Sequence, residues 1–219
     1  MKKLFVLGIT VAILISCGKE DDSPLDPDLD SNLNYMPLEI GNYWVYQHFD
    51  IDALGNETAL SRIDSVIITR DTIISLKRYF ILEGTNYPYI PREWGIVDML
   101  RDSSGYLVNH EGHIRFAEDN FTDTLVSKIE IIGEDTLYTL TYKMEKPDHP
   151  ITVPCGTYNV LNFRGTVYTP EKIPGIENPR YMNTYFADGT GKVLSTYFYL
   201  TRLSISEKRL IRYRIIENE

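Results

Sequence analysis

Tyr181-Met182-Asn183-Thr184-Tyr185-Phe186-Ala187-Asp188-Gly189-Thr190-Gly191-Lys192-Val193-Leu194-Ser195-Thr196-Tyr197 is the run that decides the fold. Aromatic and β-branched residues stand on both sides of Asp188-Gly189-Thr190-Gly191. Such residues fit a pleated, half-buried surface, and glycines in a short polar break supply the backbone angles of a tight reversal. The reading is a hairpin, with strands over Tyr181–Ala187 and Lys192–Leu203. Working outward, the same texture recurs. Tyr43–Phe49 is aromatic and β-branched, and Ile63–Ile74 is a long Val/Ile/Thr run with Arg70-Asp71 as its expected turn. Arg78–Glu83, Ile96–Arg101 and His113–Ala117 follow, with turns at Ser103-Ser104-Gly105 and Glu111-Gly112. Thr136–Met144 alternates, Gly156–Tyr168 is a further run, and Ile211, Tyr213 and Ile215 alternate with Arg212 and Arg214.

No window carries an amphipathic helix with caps. The best candidate, Leu203–Tyr213, is equally well explained by strand alternation. Sequential strands with short turns pair antiparallel most economically. About ten strands in one flat sheet would overtwist, so they should curl into a barrel, half-barrel or sandwich. The expected class is mainly all-β, a curved antiparallel sheet or half-barrel with few short helices at most. Composition agrees: the 219 residues include 16 tyrosines, eight phenylalanines and two tryptophans, and 43% are hydrophobic, enough for an ordinary core. A net charge of −9 argues against a phosphate-backbone partner, so no nucleic acid is expected. Two cysteines are too few for a disulfide scaffold.

The start of the chain is an address. Met1-Lys2-Lys3 precedes an apolar run from Leu4 to Ile15, which has the form of a secretory signal and is shorter than the roughly 20 residues of a permanent span. Leu14-Ile15-Ser16-Cys17 resembles a bacterial lipobox, which implies cleavage before Cys17, a diacylglycerol on its thiol and acylation of the new amine. Several acyl chains hold a protein firmly to a bilayer where one holds it marginally. Lys19, Glu20, Asp21 and Asp22 directly follow, and resemble the lipoprotein export signal of Bacteroidota, which sends such proteins to the cell surface. Residues 18–34 hold six acids, one lysine and two prolines without an aromatic residue, the composition of a spacer. Asp26, Asp28, Asp30 and Asn32 imitate a calcium loop, but Ser31 and Pro37 stand where that loop needs Gly and a bidentate Glu. The expected organisation is therefore a signal peptide over 1–16, a lipidated cysteine and acidic tether over 17–34, and one β-rich domain over 35–219.

Tyr35-Met36-Pro37-Leu38-Glu39-Ile40-Gly41-Asn42-Tyr43-Trp44-Val45-Tyr46 resembles the opening of a group of bacterial secreted proteins and lipoproteins common in Bacteroidota, of the form aromatic-x-Pro-Leu-x-x-Gly-Asn-x-Trp-x-Tyr. Asp64–Ile68 with Asp71–Ile73 and Tyr79-Phe80, then Val153-Pro154-Cys155-Gly156-Thr157-Tyr158, then Tyr185–Val193, resemble later elements of the same group. The resemblance covers most of 35–200 in short patches. It implies a curved antiparallel sheet related in shape to LolA-like half-barrels, and an envelope location. The group has no agreed activity, so it implies no function. The residues themselves make Trp44 a core anchor, sharing a strand face with Tyr46 while Tyr43 and Val45 take the other.

Few residues read as chemistry. Once Cys17 is lipidated, Cys155 is the remaining thiol; Val153, Pro154, Gly156 and Thr157 offer it neither a base nor a positive neighbour, so it suits a small buried hydrophobe. His110-Glu111-Gly112-His113 brings two imidazoles and a carboxylate to one turn, short of the ligands a zinc site needs. His48 and His149 stand elsewhere, and no phosphate loop, nucleophile elbow or zinc helix is present. Tyr87, Tyr89 and Trp94 lie in the one dense aromatic, proline-stiffened loop, 87–94, a candidate ligand platform. Ser65, Thr72, Thr124 and Thr136 each follow an Asp and precede an aliphatic residue, resembling the O-glycosylation pattern of Bacteroidota.

The expectation is an outer-membrane lipoprotein at the cell surface, or otherwise facing the periplasm. Its partners would be the membrane, through the lipid anchor, and the lipoprotein processing and export machinery. It would be a binding module for an apolar or glycan ligand, with no catalysis, metal or cofactor. The alternative is a structural or interaction accessory of an envelope complex that takes no small ligand.

Overall fold

The computed structural model describes residues 33–85, 94–170 and 175–216. Among these are fifteen strands and no α-helix. The first six are β1 (Tyr43–Ile51), β2 (Glu57–Ile74), β3 (Lys77–Gly84), β4 (Gly95–Ser103), β5 (Tyr106–Asn109) and β6 (Ile114–Ala117). Next come β7 (Val126–Ile132), β8 (Asp135–Glu145), β9 (Ile151–Val153), β10 (Gly156–Tyr158) and β11 (Val160–Tyr168). The chain closes with β12 (Arg180–Met182), β13 (Thr184–Ala187), β14 (Gly191–Tyr197) and β15 (Ile205–Arg214). Thirteen of them form one antiparallel sheet in the order β6-β5-β4-β3-β2-β1-β15-β14-β13-β11-β8-β7, with β12 also on β11. β9 and β10 form a separate small hairpin, tied to β15 by the Cys155 amide donating to the Leu210 carbonyl at 3.2 Å. The expected all-β class and curved antiparallel sheet are what the chain adopts.

The sheet curls because its ladders are broken by bulges, which bend and over-twist a strand. They fall between Val45 and Tyr46 against β15, between Gln47 and Phe49 against β2, between Ile68 and Arg70 against β3, and between Leu82 and Glu83 against β4. The curl brings β6 up to β11, so the sheet is nearly closed. Phe116 of β6 packs on Phe186 of β13 with ring centroids 4.8 Å apart. Gly84 is required where β3 crosses β2: a Cβ there would overlap the Ser65 carbonyl oxygen and lie 2.9 Å from Val66 Cα.

The inner face is filled at one end. Trp44, Ile68, Leu107, Phe116, Met144, Val193 and Leu210 are all buried there. The segment 33–42 seals them: Leu33 and Met36 are buried, and Tyr35 stacks on Phe116 at 5.3 Å. The Gly189 amide donates to the Asn34 carbonyl at 3.0 Å. Trp44 Nε1 donates to the Thr190 carbonyl at 2.6 Å, so the tryptophan anchors the β13–β14 turn as well as the core.

Several expected boundaries move. Arg70-Asp71 is not a turn: β2 runs through it, because Arg70 pairs with Glu83 and Asp71 with Arg78 across the β2–β3 ladder. The reversal comes at Ser75-Leu76, both at positive φ. Gly156–Tyr168 divides at Asn159 into β10, which pairs with β9, and β11, which pairs with β8. The strand expected over Lys192–Leu203 ends at Tyr197, the one expected over Tyr181–Ala187 divides at Asn183 into β12 and β13, and β5, β7 and β9 add strands to those expected.

Candidate functional site

Strand alternation puts Trp44, Tyr46 and His48 on one face of β1, running away from the sealed end. Register supplies the neighbours. His48 stands opposite Lys208 of β15, and Tyr46 opposite Asp64 of β2. Three polar side chains from three adjacent strands therefore meet on the inner face. His48 Nε2 lies 2.8 Å from Asp64 Oδ2, and Lys208 Nζ lies 2.7 Å from the same oxygen. Thr85 Oγ1 donates to the other carboxylate oxygen at 3.2 Å. An ionised carboxylate only accepts, so His48 carries its proton on Nε2 in this pairing. The Tyr197 ring sits edge-on to the imidazole at 6.4 Å.

Burial alone would raise the Asp64 carboxyl. Hydrogen bonds from His48 and Lys208, with the lysine's charge, outweigh it and hold the group at about 2. A carboxylate so strongly engaged is a poor base near neutral pH, where a catalytic base needs a pKa close to the working pH.

Beyond this trio the inner face carries a second ammonium. Lys192 of β14 lies with Nζ 5.7 Å from the Tyr46 ring centroid, and Lys208 Nζ lies 5.9 Å from the same centroid. The Tyr46 hydroxyl, pushed up by burial, donates to the Lys192 carbonyl at 2.9 Å. Lys192 as a whole residue is half-buried, while its ammonium is surrounded by protein. Burial, and then the nearby Lys208 charge, lower its ammonium to about 8. Lys208 has Asp64 as its counter-ion; Lys192 makes no ion pair within 4.0 Å among the described residues. Asp98 and Arg115, paired at 3.1 Å, mark the outer end of the row. Side-chain exposure climbs from 2% at Asp64 and 11% at Lys208 to 22% at Asp98 and 45% at Arg115, so the row opens to solvent at that end.

The residues singled out in the sequence lie elsewhere. Cys17, Lys19, Glu20, Asp21, Asp22, Tyr87 and Tyr89 fall outside the described residues. Trp94 is exposed beside the first residue of β4, and no second aromatic residue of its loop can be set against it. Ser65 is half-buried in a strand paired on both sides, and Thr72 is half-buried in the β2–β3 ladder. Thr124 and Thr136 are exposed, the first ahead of β7 and the second at the start of β8. Cys155 is half-buried and accepts a hydrogen bond from the Tyr158 hydroxyl at 3.5 Å. Exposed Glu111 and His113 pair at 3.2 Å, and among the described residues no three metal-ligating side chains converge. A polar cleft of about 320 Å³ lies between the β4–β5 turn and residues 119–123. Beside it the Glu118 carboxyl is pushed up by burial and by Asp119, Asp188 and Asp102.

Sequence reasoning missed His48, Asp64, Lys192 and Lys208 as a group. Alternation along Tyr43–Phe49 already continues the Trp44–Tyr46 face onto His48, a polar residue on a core face, and that was the available signal.

No family model matches the chain, and no curated protein matches it. Among solved structures it is similar to a protein described as a lipoprotein from Parabacteroides distasonis ATCC 8503, at 13% identity and a TM-score of 0.49, over 84% of this chain and 100% of that one. It is also similar to a protein described as exported, with a YmcC-like fold, from Bacteroides fragilis NCTC 9343, at 12% identity and a TM-score of 0.47, over 82% of this chain and 98% of that one.

Proposed function

We propose that this chain is an outer-membrane lipoprotein, anchored through Cys17 and exported to the cell surface by the charged cluster after it, that binds a glycan bearing a carboxylate at the open end of its inner face. It works by binding and not by catalysis. The lipobox resemblance at Leu14–Cys17 supports the anchor, and Lys19, Glu20, Asp21 and Asp22 support export. The observation that carries the ligand class is Lys192. Its ammonium is lowered by burial, lies over the Tyr46 ring, and makes no ion pair within 4.0 Å among the described residues, the Asp98 and Asp64 carboxylates acting on it only from farther off. A ligand carboxylate would complete that site with a charge-assisted hydrogen bond, and the half-buried Tyr197 offers apolar ring surface on the same face. A purely apolar ligand fits less well, since buried side chains fill the other end of the inner face.

The test is binding of the wild-type protein and Lys192→Met to an array of acidic and neutral oligosaccharides. Wild type should retain uronic-acid-bearing glycans in preference to neutral ones, and the variant should lose that preference by about tenfold or more, the scale of one charge-assisted bond. The ammonium must be protonated to hold an anion. Binding should therefore be full below about pH 8 and fall as pH rises through that value. Equal retention of acidic and neutral glycans by wild type would reject the reading.

A second reading, an interaction accessory with no small ligand, is favoured by one feature: exposed isoleucines on the last strand of the sheet.

A further inference from the structure

The sheet ends at β7, whose outer edge pairs with no strand among the described residues. An open edge presents a row of unpaired amides and carbonyls, and proteins usually blunt such edges with charge, proline or a bulge turned away. β7 is blunted only in part: it carries Lys128 and Glu130, and its ladder with β8 shifts register between Glu130 and Ile131, but its apolar side chains stay uncovered. Ile129, Ile131 and Ile132 are 59%, 59% and 64% exposed, and Leu137 of the neighbouring β8 is 36% exposed. Val126-Ser127-Lys128-Ile129-Glu130-Ile131-Ile132 contains no proline and one charge of each sign.

Those two charges carry a register. Lys128 Nζ and Glu130 Oε2 lie 2.8 Å apart within the strand, so both side chains stand on one face, with Ile129 on the other. When β7 meets a second copy of itself antiparallel, about a two-fold axis through Ile129, each Lys128 falls opposite the other copy's Glu130. Ile129 then falls opposite its own counterpart, and Ile131 opposite Ser127. The charges of this strand are thus complementary to themselves in that one alignment, which is what an isologous interface demands. A shift of the alignment by two residues in either direction breaks both charge pairs and sets two like charges opposite each other. We propose that β7 is a dimerisation edge, on which a second copy of this chain adds in antiparallel register centred on Ile129 and continues the sheet from one molecule into the next.

The test is disulfide trapping in cell membranes with the full-length, lipidated protein and Cys155 replaced by Ala. Directly opposed residues in an antiparallel pair have Cα atoms about 4.5–5.5 Å apart, inside the range a disulfide accepts. Ile129→Cys should therefore shift most of the protein to twice its mass on mild oxidation. Thr139→Cys is the control: Thr139 stands opposite Ile129 on β8, one strand further from the axis. Its two copies would be about 14 Å apart at the usual strand spacing, too far to bridge. In the Ile129→Cys background, Lys128→Glu should cut the cross-linked fraction about tenfold by setting like charges opposite each other, and Lys128→Glu with Glu130→Lys should restore it. Recovery in the charge-swapped variant is the readout that a different partner strand would not give. Failure of Ile129→Cys to cross-link, equal cross-linking at Thr139→Cys, capture of another protein in place of a second copy, or no rescue by the swap would each overturn the proposal. None of these outcomes depends on Lys192 or on glycan binding.

Discussion

Asp64 accepts from His48, Lys208 and Thr85, each from a different part of the chain. Its folded carboxyl titrates at about 2 against an ordinary value of 3.8. A depressed acid contributes stability that is present above the unfolded value and is lost as pH falls towards the folded one, here between about pH 4 and pH 2. The difference corresponds to about 2 kcal/mol. Asp64→Asn should cost about 3 kcal/mol or more at pH 7, because it leaves the buried Lys208 ammonium without its counter-ion. It should also flatten the loss of stability between pH 4 and pH 2, and urea unfolding across that range measures both effects. An unchanged acid limb would show that Asp64 is not the titrating group. Trp44 was legible from alternation and size alone. The His48–Asp64–Lys208 trio was not, since its members are 16 and 144 residues apart along the chain and only strand order brings them together.

At the scale of the element, the β2–β3 connection shows how a local signal misleads. Arg70-Asp71 has turn-like polarity, yet both side chains are spent on cross-strand ion pairs and the strand continues. The turn falls instead on Ser75 and Leu76, at φ of 50° and 64°. Two successive left-handed residues make the two-residue hairpin turn that favours Asn-Gly, and a leucine there is strained. Leu76 is 87% exposed, so replacing it loses no packing. The pair Ser75→Asn with Leu76→Gly should therefore stabilise the protein by about 0.5–1 kcal/mol, seen as a higher melting temperature. A lower melting temperature would mean the turn is not of this type. The β13–β14 hairpin was legible because its Asp-Gly-Thr-Gly break matches its geometry. β7 was not, because Val126–Ile132 alternates only in part, the adjacent Ile131-Ile132 breaking the two-residue period.

For the whole molecule, short strands, aromatic content and absent helix caps sufficed for an all-β, curved antiparallel sheet. The curl towards a barrel or half-barrel was legible from the strand count, but the bulges that make it were not, since a register shift carries no sequence mark. The same sheet accounts for the proposed work. A sealed end holds the core, a charged row opens at the other, and an uncovered edge stands at β7. In the proposed reading this body binds at its rim and pairs at its edge, and a lipid anchor keeps it at the envelope. That anchor is the claim on which binding at the cell surface rests. Its most direct test is the mass of the N-terminal peptide of the protein extracted from membranes. The account predicts a chain that begins at Cys17 and carries a diacylglyceryl group on the thiol and an acyl group on the amine. A chain that begins elsewhere, or an unmodified Cys17, would contradict it.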